Sequence, residues 1–214
     1  MAASPGSVIV LDWHKSPEGK EYLATILRKN KRKFFGIQTT MVYWPAKLRD
    51  SGRALIFRLH FWDCGEAALR KFDHILPACK ERADCILFLF SFTDRSSFDD
   101  LPNQISRITE GSENLVKIAI GTKFDQFMHT DVTERDLAEF QRAWRLPVLR
   151  MKSVNGPRLA DGRTLDGRAG LAHVAHVLNG LVEHLWYQDQ VMAGLVPAPQ
   201  PGTEETPCAR NQLA

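Results

Sequence analysis

Two uninterrupted apolar runs, "DCILFLFS" at 84–91 and "LVKIAIG" at 115–121, constrain the fold of this chain more than any other feature. A strand with one wet face alternates apolar and polar side chains. A run apolar at nearly every position belongs to a strand covered on both faces, the usual state of strands in a parallel sheet. A helical pattern comes after each run. Residues 96–110 form one, opened by Ser96, and "TERDLAEFQRAW" forms another, with Thr133 as N-cap and Asp136 three positions on in a capping-box arrangement. "PVLRM" is a last short strand, and 168–190 a long final helix with apolar Leu171, Val174, Ala175, Leu178, Leu181, Val182 and Leu185. Upstream, "QTTMVYWPA" and "ALIFRLHFW" are β-rich runs joined by "KLRDSGR", whose Asp50-Ser51-Gly52 is a hairpin turn, and residues 66–80 form a short amphipathic helix. Strands alternating with helices give an α/β domain: a mostly parallel sheet with helices on both faces.

The 214 residues accommodate one such domain with tails, and 44% apolar residues suffice for its core. A net charge of +3 is too weak to argue for nucleic acid, and no apolar run approaches the roughly 20 residues of a membrane span. Cys64, Cys79, Cys85 and Cys208 stand at scattered spacings, which suits reduced thiols in a cytoplasmic protein. His173 and His176, three apart on the final helix, read as a solvated face rather than a metal pair. The domain plan is an N-terminal extension over 1–35, the α/β domain over 36–190 and a Pro-rich, disordered tail over 191–214. Within the extension, the β-branched run "SVIVL" precedes a helix from about Pro17. That helix ends in "RKNKRK" (28–33), read as a solvated end where positive charge suits the helix dipole.

Ligands of open α/β sheets bind at the carboxyl ends of the strands, and three turns there carry chemistry. In Asp63-Cys64-Gly65-Glu66 the aspartate can hold magnesium through water, and Gly65 lets its backbone N–H approach a terminal phosphate. In Thr122-Lys123-Phe124-Asp125, the two oxygens of Asp125 can pair with the two adjacent donors on guanine's Watson–Crick edge, and the Lys123 stem can pack along the base. In "RMKSVNG", backbone N–H groups near Ser153 and Val154 can contact the guanine carbonyl. Singly, each is an ordinary strand-end turn with a surface charge. In order, each at its own strand end, they outline a nucleotide pocket.

With these turns, and with "FLFSFTDRSSFDDLP" for a fourth strand and the start of the next helix, the chain resembles the Rab-like small GTPases of the Ras superfamily over about residues 36–190. That resemblance implies the P-loop NTPase-like fold, GTP or GDP with Mg2+ as cofactors, and Thr122, Lys123, Asp125, Ser153, Val154 and Gly65 as nucleotide-binding residues. It also implies Asp63 as the water-mediated magnesium site, and Glu66 where most relatives keep the catalytic, water-positioning glutamine. "EGKEYLATILRKN", "GIQTT", "FWDCGE", "GTKFDQFMHTDV" and "RLADGRTLDGRAGL" resemble more narrowly a Rem- and Rab-like branch serving ciliogenesis and planar polarity. Membership there implies work in cilium assembly and targeted vesicle traffic, beside the planar polarity proteins Inturned and Fuzzy at the basal body.

The family's phosphate cradle, G-x-x-x-x-G-K-[ST], does not occur in the sequence. The nearest string is "HKSPEGKE", with His14 at the first glycine position, Gly19-Lys20 in place, and Glu21 at the hydroxyl position. Either this is a decayed phosphate loop, or the first strand, loop and first helix are absent between Phe35 and Gly36, in a splice-type variant or incomplete gene product. The second reading is preferred, since motif context outweighs a bare Gly-Lys pair. The magnesium-binding threonine of the first switch would then fall at Phe34, with Thr39 and Thr40 as fallbacks. Thr122 stands where asparagine is usual, Asn155 where a lysine often follows, and an ionised Glu66 beside a γ-phosphate adds repulsion. All this implies weak nucleotide binding and slow hydrolysis, or a nucleotide-independent interaction module. In this fold the first strand lies between the third and fourth, so its loss leaves two inner strands unpaired unless "SVIVL" fills the space. Asn211 holds the fourth-last position, so no prenylation motif and no lipid anchor is expected.

Overall fold

Two half-sheets frame the molecule. A computed structural model describes residues 8–10, 12–26, 38–63, 80–109, 115–152 and 167–197. Strand β1 (Gln38–Lys47) pairs antiparallel with β2 (Ala54–Asp63) from Gln38↔Asp63 to Lys47↔Ala54. The turn is as expected. Leu48 N–H donates to the Arg53 carbonyl at 2.9 Å, Ser51 N–H to Asp50 Oδ1 at 2.9 Å, and Gly52 takes φ 63°, which a side chain would strain. The second half-sheet is parallel, ordered β3 (Cys85–Ser91), β4 (Val116–Thr122), β5 (Val148–Arg150).

Among the described residues the two half-sheets exchange no ladder, and the family resemblance puts the missing first strand between β2 and β3. "SVIVL" does not take that place. Ile9 bridges Leu48, Val10 N–H donates to the Lys47 carbonyl at 2.8 Å, and Arg49 N–H donates to the Val8 carbonyl at 2.9 Å. Because Leu48 and Arg53 bond to each other across the hairpin, the main-chain groups of Lys47 and Arg49 point the other way, so residues 8–10 lie on the outer side of β1. A carboxylate fixes them there: Glu183 Oε1 accepts from Val8 N–H at 2.9 Å and Ile9 N–H at 3.4 Å. Pro45 shares the outward parity of Lys47, so the proline that cannot donate sits on the edge side of its strand.

Helices close both faces. On one, α2 (Arg95–Asp99), α3 (Leu101–Thr109) and α4 (Glu134–Trp144) pack Phe98, Leu101, Ile105, Leu137 and Phe140 against Phe88, Phe90 and Phe92 of and beyond β3. The single helix expected over 96–110 is two, and its cap is Asp94 rather than Ser96. The Asp94 carboxylate accepts from the amides of Ser96 and Ser97, an aspartate being a stronger acceptor there than a serine hydroxyl. The interruption at Asp100 precedes Pro102, which has no N–H to return to Phe98. Thr133 and Asp136 form the expected capping box.

The Thr133 hydroxyl and amide, then Arg95, hold the Asp136 carboxyl down at about 2. A depressed carboxylate stabilises above its unfolded pKa and loses that contribution as pH falls through the folded value. The Asp136 side-chain carbon resonance is therefore expected to titrate near pH 2, with the box lost between about 4 and 2. A midpoint near 4 would contradict the box.

On the other face α5 (Gly167–Met192) runs beneath both half-sheets; at 1.5 Å per residue its 26 residues reach about 39 Å. Its Ala175, Val177, Leu178, Leu181 and Val182 share one core with Ile9, Trp44 and Leu59 from the hairpin and Ile118 and Ile120 from β4. A single hydrophobic cluster thus joins two sheets that exchange no ladder hydrogen bonds. The basic run 28–33, all but Lys80 of the helix expected over 66–80, and the tail from 198 onward lie outside the described residues.

Candidate functional site

At the carboxyl end of β4 the chain leaves the sheet through Lys123, whose φ of 58° is left-handed. A lysine held there costs about 1–3 kcal/mol of backbone strain, so the surrounding structure must impose it. Three bonds do so. Phe124 N–H donates to the Met151 carbonyl at 3.1 Å, Gln126 N–H to the Lys123 carbonyl at 2.9 Å, and Met151 N–H to the Gly121 carbonyl at 2.7 Å. The Phe124 ring lies 5.0 Å from the Phe92 ring, and the Arg150 guanidinium sits 5.3 Å above it. Thr122, Lys123 and Asp125 therefore occupy one turn, joined by a hydrogen bond to the end of β5, from which Lys152 leads to Ser153. Ser153 and Val154 lie outside the described residues.

Each side chain on this turn has a distinct environment. The Thr122 hydroxyl donates to the Phe90 carbonyl at 2.9 Å, so this threonine ties β4 to β3 instead of reaching outward. Asp125 is half-buried at the start of the 3-10 turn Phe124–His129, while Lys123 is exposed. Asp94 was not singled out from the sequence, yet it belongs here. Its carboxyl lies below the ordinary range, chiefly through the Ser96 hydroxyl, with the Ser97 and Ser96 amides and the Lys123 charge adding to it against the opposing effect of burial. An aspartate just ahead of two serines and a helical pattern was the available signal.

Asp63 is elsewhere. It is exposed at the last position of β2, in the other half-sheet, paired across the hairpin with Gln38. Thr39, opposite Trp62, is one pair away from it, and Thr40 two. Gly65, Glu66 and Phe34 lie outside the described residues. Among the described residues no group of three or more His, Cys, Asp and Glu side chains could hold a metal ion.

The Gly19-Lys20 pair serves another purpose. Ser16 Oγ donates to the Trp13 carbonyl at 2.7 Å and accepts from Gly19 N–H at 3.0 Å, starting α1 (Pro17–Ile26) with Pro17 in its first turn. A Cβ on Gly19 would stand 2.1 Å from the Trp13 carbonyl oxygen, so glycine is required for α1 to fold back on the turn Trp13–Lys15. His14 is buried beside Trp44, its ring centroid 5.7 Å away, and burial lowers its pKa. Glu18 accepts from Trp13 Nε1 at 3.2 Å and Lys47 Nζ at 3.4 Å. All these contacts lie at the Lys47 end of the hairpin, whereas Asp63 closes its other end. Ten paired residues at about 3.3 Å each separate the two by roughly 30 Å. "HKSPEGKE" is thus no decayed phosphate loop serving Asp63; it is a structural cap.

A Ras family model matches residues 46–155, just over half of the chain. The chain belongs to the Ras family. Among curated proteins it is similar to ciliogenesis and planar polarity effector 2 of Homo sapiens, at 53% identity over 252 residues, covering 94% of this chain and 98% of that protein. The Mus musculus protein of the same name is 54% identical, with 92% and 97% covered, and that of Danio rerio 44%, with 96% and 98% covered. Since 94% of 214 residues is about 201, about 51 of the 252 aligned positions of the human protein have no residue of this chain opposite them. The family match starts at residue 46.

For a guanine nucleotide and magnesium, the two ends of the site differ. The base end fits: an acid, a strained lysine and the exit of β5 converge on one turn. At the phosphate end, no glycine-lysine loop stands near Asp63 among the described residues. Among the described residues, no helix is long and apolar enough to cross a membrane.

Proposed function

We propose that this chain is a small-GTPase-like protein acting in cilium assembly, planar cell polarity and targeted vesicle traffic or exocytosis, with its nucleotide switch impaired. The curated relatives supply the ciliary and polarity setting through their name. What supports the impairment is the missing G-x-x-x-x-G-K-[ST] string, together with two half-sheets that exchange no ladder among the described residues. Cytoplasmic action at the basal body beside Inturned and Fuzzy, without nucleic acid, is part of the same reading. Titrating fluorescent GDP into the purified chain with magnesium is expected to show no submicromolar binding. Tight, magnesium-dependent binding would defeat the impairment.

A second reading is favoured by the intact α3, α4 and α5 faces: a nucleotide-independent module that docks partners through surviving surfaces. Co-precipitation with Inturned and Fuzzy from a preparation that binds no GDP selects it. Loss of partner binding together with GDP binding selects a switch.

A further inference from the structure

One buried histidine stands where the amino-terminal segment meets the rest of the fold. His14, 8% exposed on the turn Trp13–Lys15, reaches Trp44 of β1 and Asn179 of α5. Its neighbours fix its protonation. The Trp44 indole can only donate, so the Asn179 atom that meets it at 2.9 Å is the carbonyl oxygen. The other half of that amide is then a donor, and it lies 3.5 Å from His14 Nδ1. A ring nitrogen accepts only while it carries no hydrogen. The closed segment therefore takes the neutral imidazole with its hydrogen on Nε2. An imidazolium would set N–H against N–H where both side chains are buried.

The charged groups on the surrounding elements are engaged elsewhere. Asp12 and Lys15, on the turn itself, pair at 2.9 Å. Glu18 of α1 accepts from Trp13 and from Lys47 of β1, while Lys20 and Glu21 are exposed. On α5, Glu183 holds the Val8 and Ile9 amides, and His176 and His184 meet the Arg150 and Gly180 carbonyls. Burial lowers the His14 pKa below the ordinary 6.5, with Asp12 opposing and Lys15 adding.

We propose that residues 8–10 and 12–26 form an acid-released latch on the hairpin, with His14 as its sensor. Above about pH 6.5 the ring is neutral whether the latch is open or shut, and closure is favoured. As pH falls through 6.5 toward the lower closed-state value, the open form takes up the proton first, so closure loses ground. One proton bound only by the open form shifts the equilibrium by up to about tenfold per pH unit. Opening uncovers the outer main-chain groups of Lys47 and Arg49, now bonded to Val10 and Val8, and the side of Trp44 that His14 covers. The proposal does not depend on the nucleotide reading.

The test follows the full chain by amide hydrogen exchange, read as protection factors, from about pH 7.5 to 5.5. The Val10, Gly19 and Arg49 amides are expected to lose protection several-fold, up to about tenfold. Phe92 and Ala119, bonded within the parallel half-sheet, should hold theirs. His14→Asn puts a carbonyl oxygen about where Nδ1 stands and does not titrate, so its latch amides should stay flat. In the parent chain at the upper pH, nitrogen chemical shifts of the His14 ring should report a bare Nδ1 and a protonated Nε2. Flat protection in the parent overturns the proposal, as does an equal loss at Phe92 and Ala119. The same loss in His14→Asn overturns it too, and so does a hydrogen on Nδ1 at the upper pH.

Discussion

Inserting a Ras-family first strand, phosphate loop and first helix between Phe35 and Gly36 is expected to raise magnesium–GDP affinity at least about a hundredfold. The base-side turn already stands, with Lys123 locked in a left-handed conformation and Asp125 beside it. What the sequence lacks is the G-x-x-x-x-G-K-[ST] loop whose backbone N–H groups meet phosphate charge, and among the described residues no strand pairs with the free edges of β2 and β3. A hundredfold is about 2.7 kcal/mol, a modest demand on several charge-assisted hydrogen bonds of about 1.5–3 kcal/mol each. The insertion should also sharpen the thermal transition, since it joins two half-sheets that now meet through α5. A Gly-Ser insertion of equal length should change neither property. A chimera that melts cooperatively yet fails to bind GDP would show that the turn at 122–125 is not a guanine site.

The alternation of strand and helix was legible because the apolar runs at 84–91 and 115–121 admit few environments, and the capping box at Thr133 because its chemistry is local. The turn at Thr122-Lys123-Phe124-Asp125 was legible as a pattern, whereas the inward bond of Thr122 to Phe90 was not, since it depends on β4 lying beside β3. Asp94 was passed over because both it and Ser96 can cap a helix, and the choice rests on backbone geometry. "SVIVL" misled most. Its β-branched composition says that it will pair, but not with which edge. Outward carbonyls at the end of β1 and a carboxylate 175 residues away, on α5, decided that. The same long-range packing disguised Gly19-Lys20, a pair that spacing alone offers as a phosphate ligand and tertiary contact makes a corner of the fold.

Trp44→Ala is expected to abolish cooperative folding, and it shows how little margin the divided sheet leaves. Trp44 is fully buried and lies where the amino-terminal cap, the hairpin and α5 meet. Its Nε1 donates to Asn179 Oδ1 at 2.9 Å, and the Asn179 amide is 3.5 Å from His14 Nδ1. Truncation removes a large side chain from a packed core, at about 3–5 kcal/mol, and leaves a buried Asn179 without its donor, at about 1–3 kcal/mol more. Small domains hold only about 5–15 kcal/mol in total, and in this one the two half-sheets, which exchange no ladder among the described residues, meet in the core that includes Trp44. Trp44→Phe keeps most of the volume and loses the indole donor, so it should cost about 1–3 kcal/mol and leave a measurable urea transition. The pair separates packing from hydrogen bonding. If Trp44→Ala unfolds at the same urea concentration as the parent chain, the cap, hairpin and α5 do not share one core, and the account of how the half-sheets are held together fails.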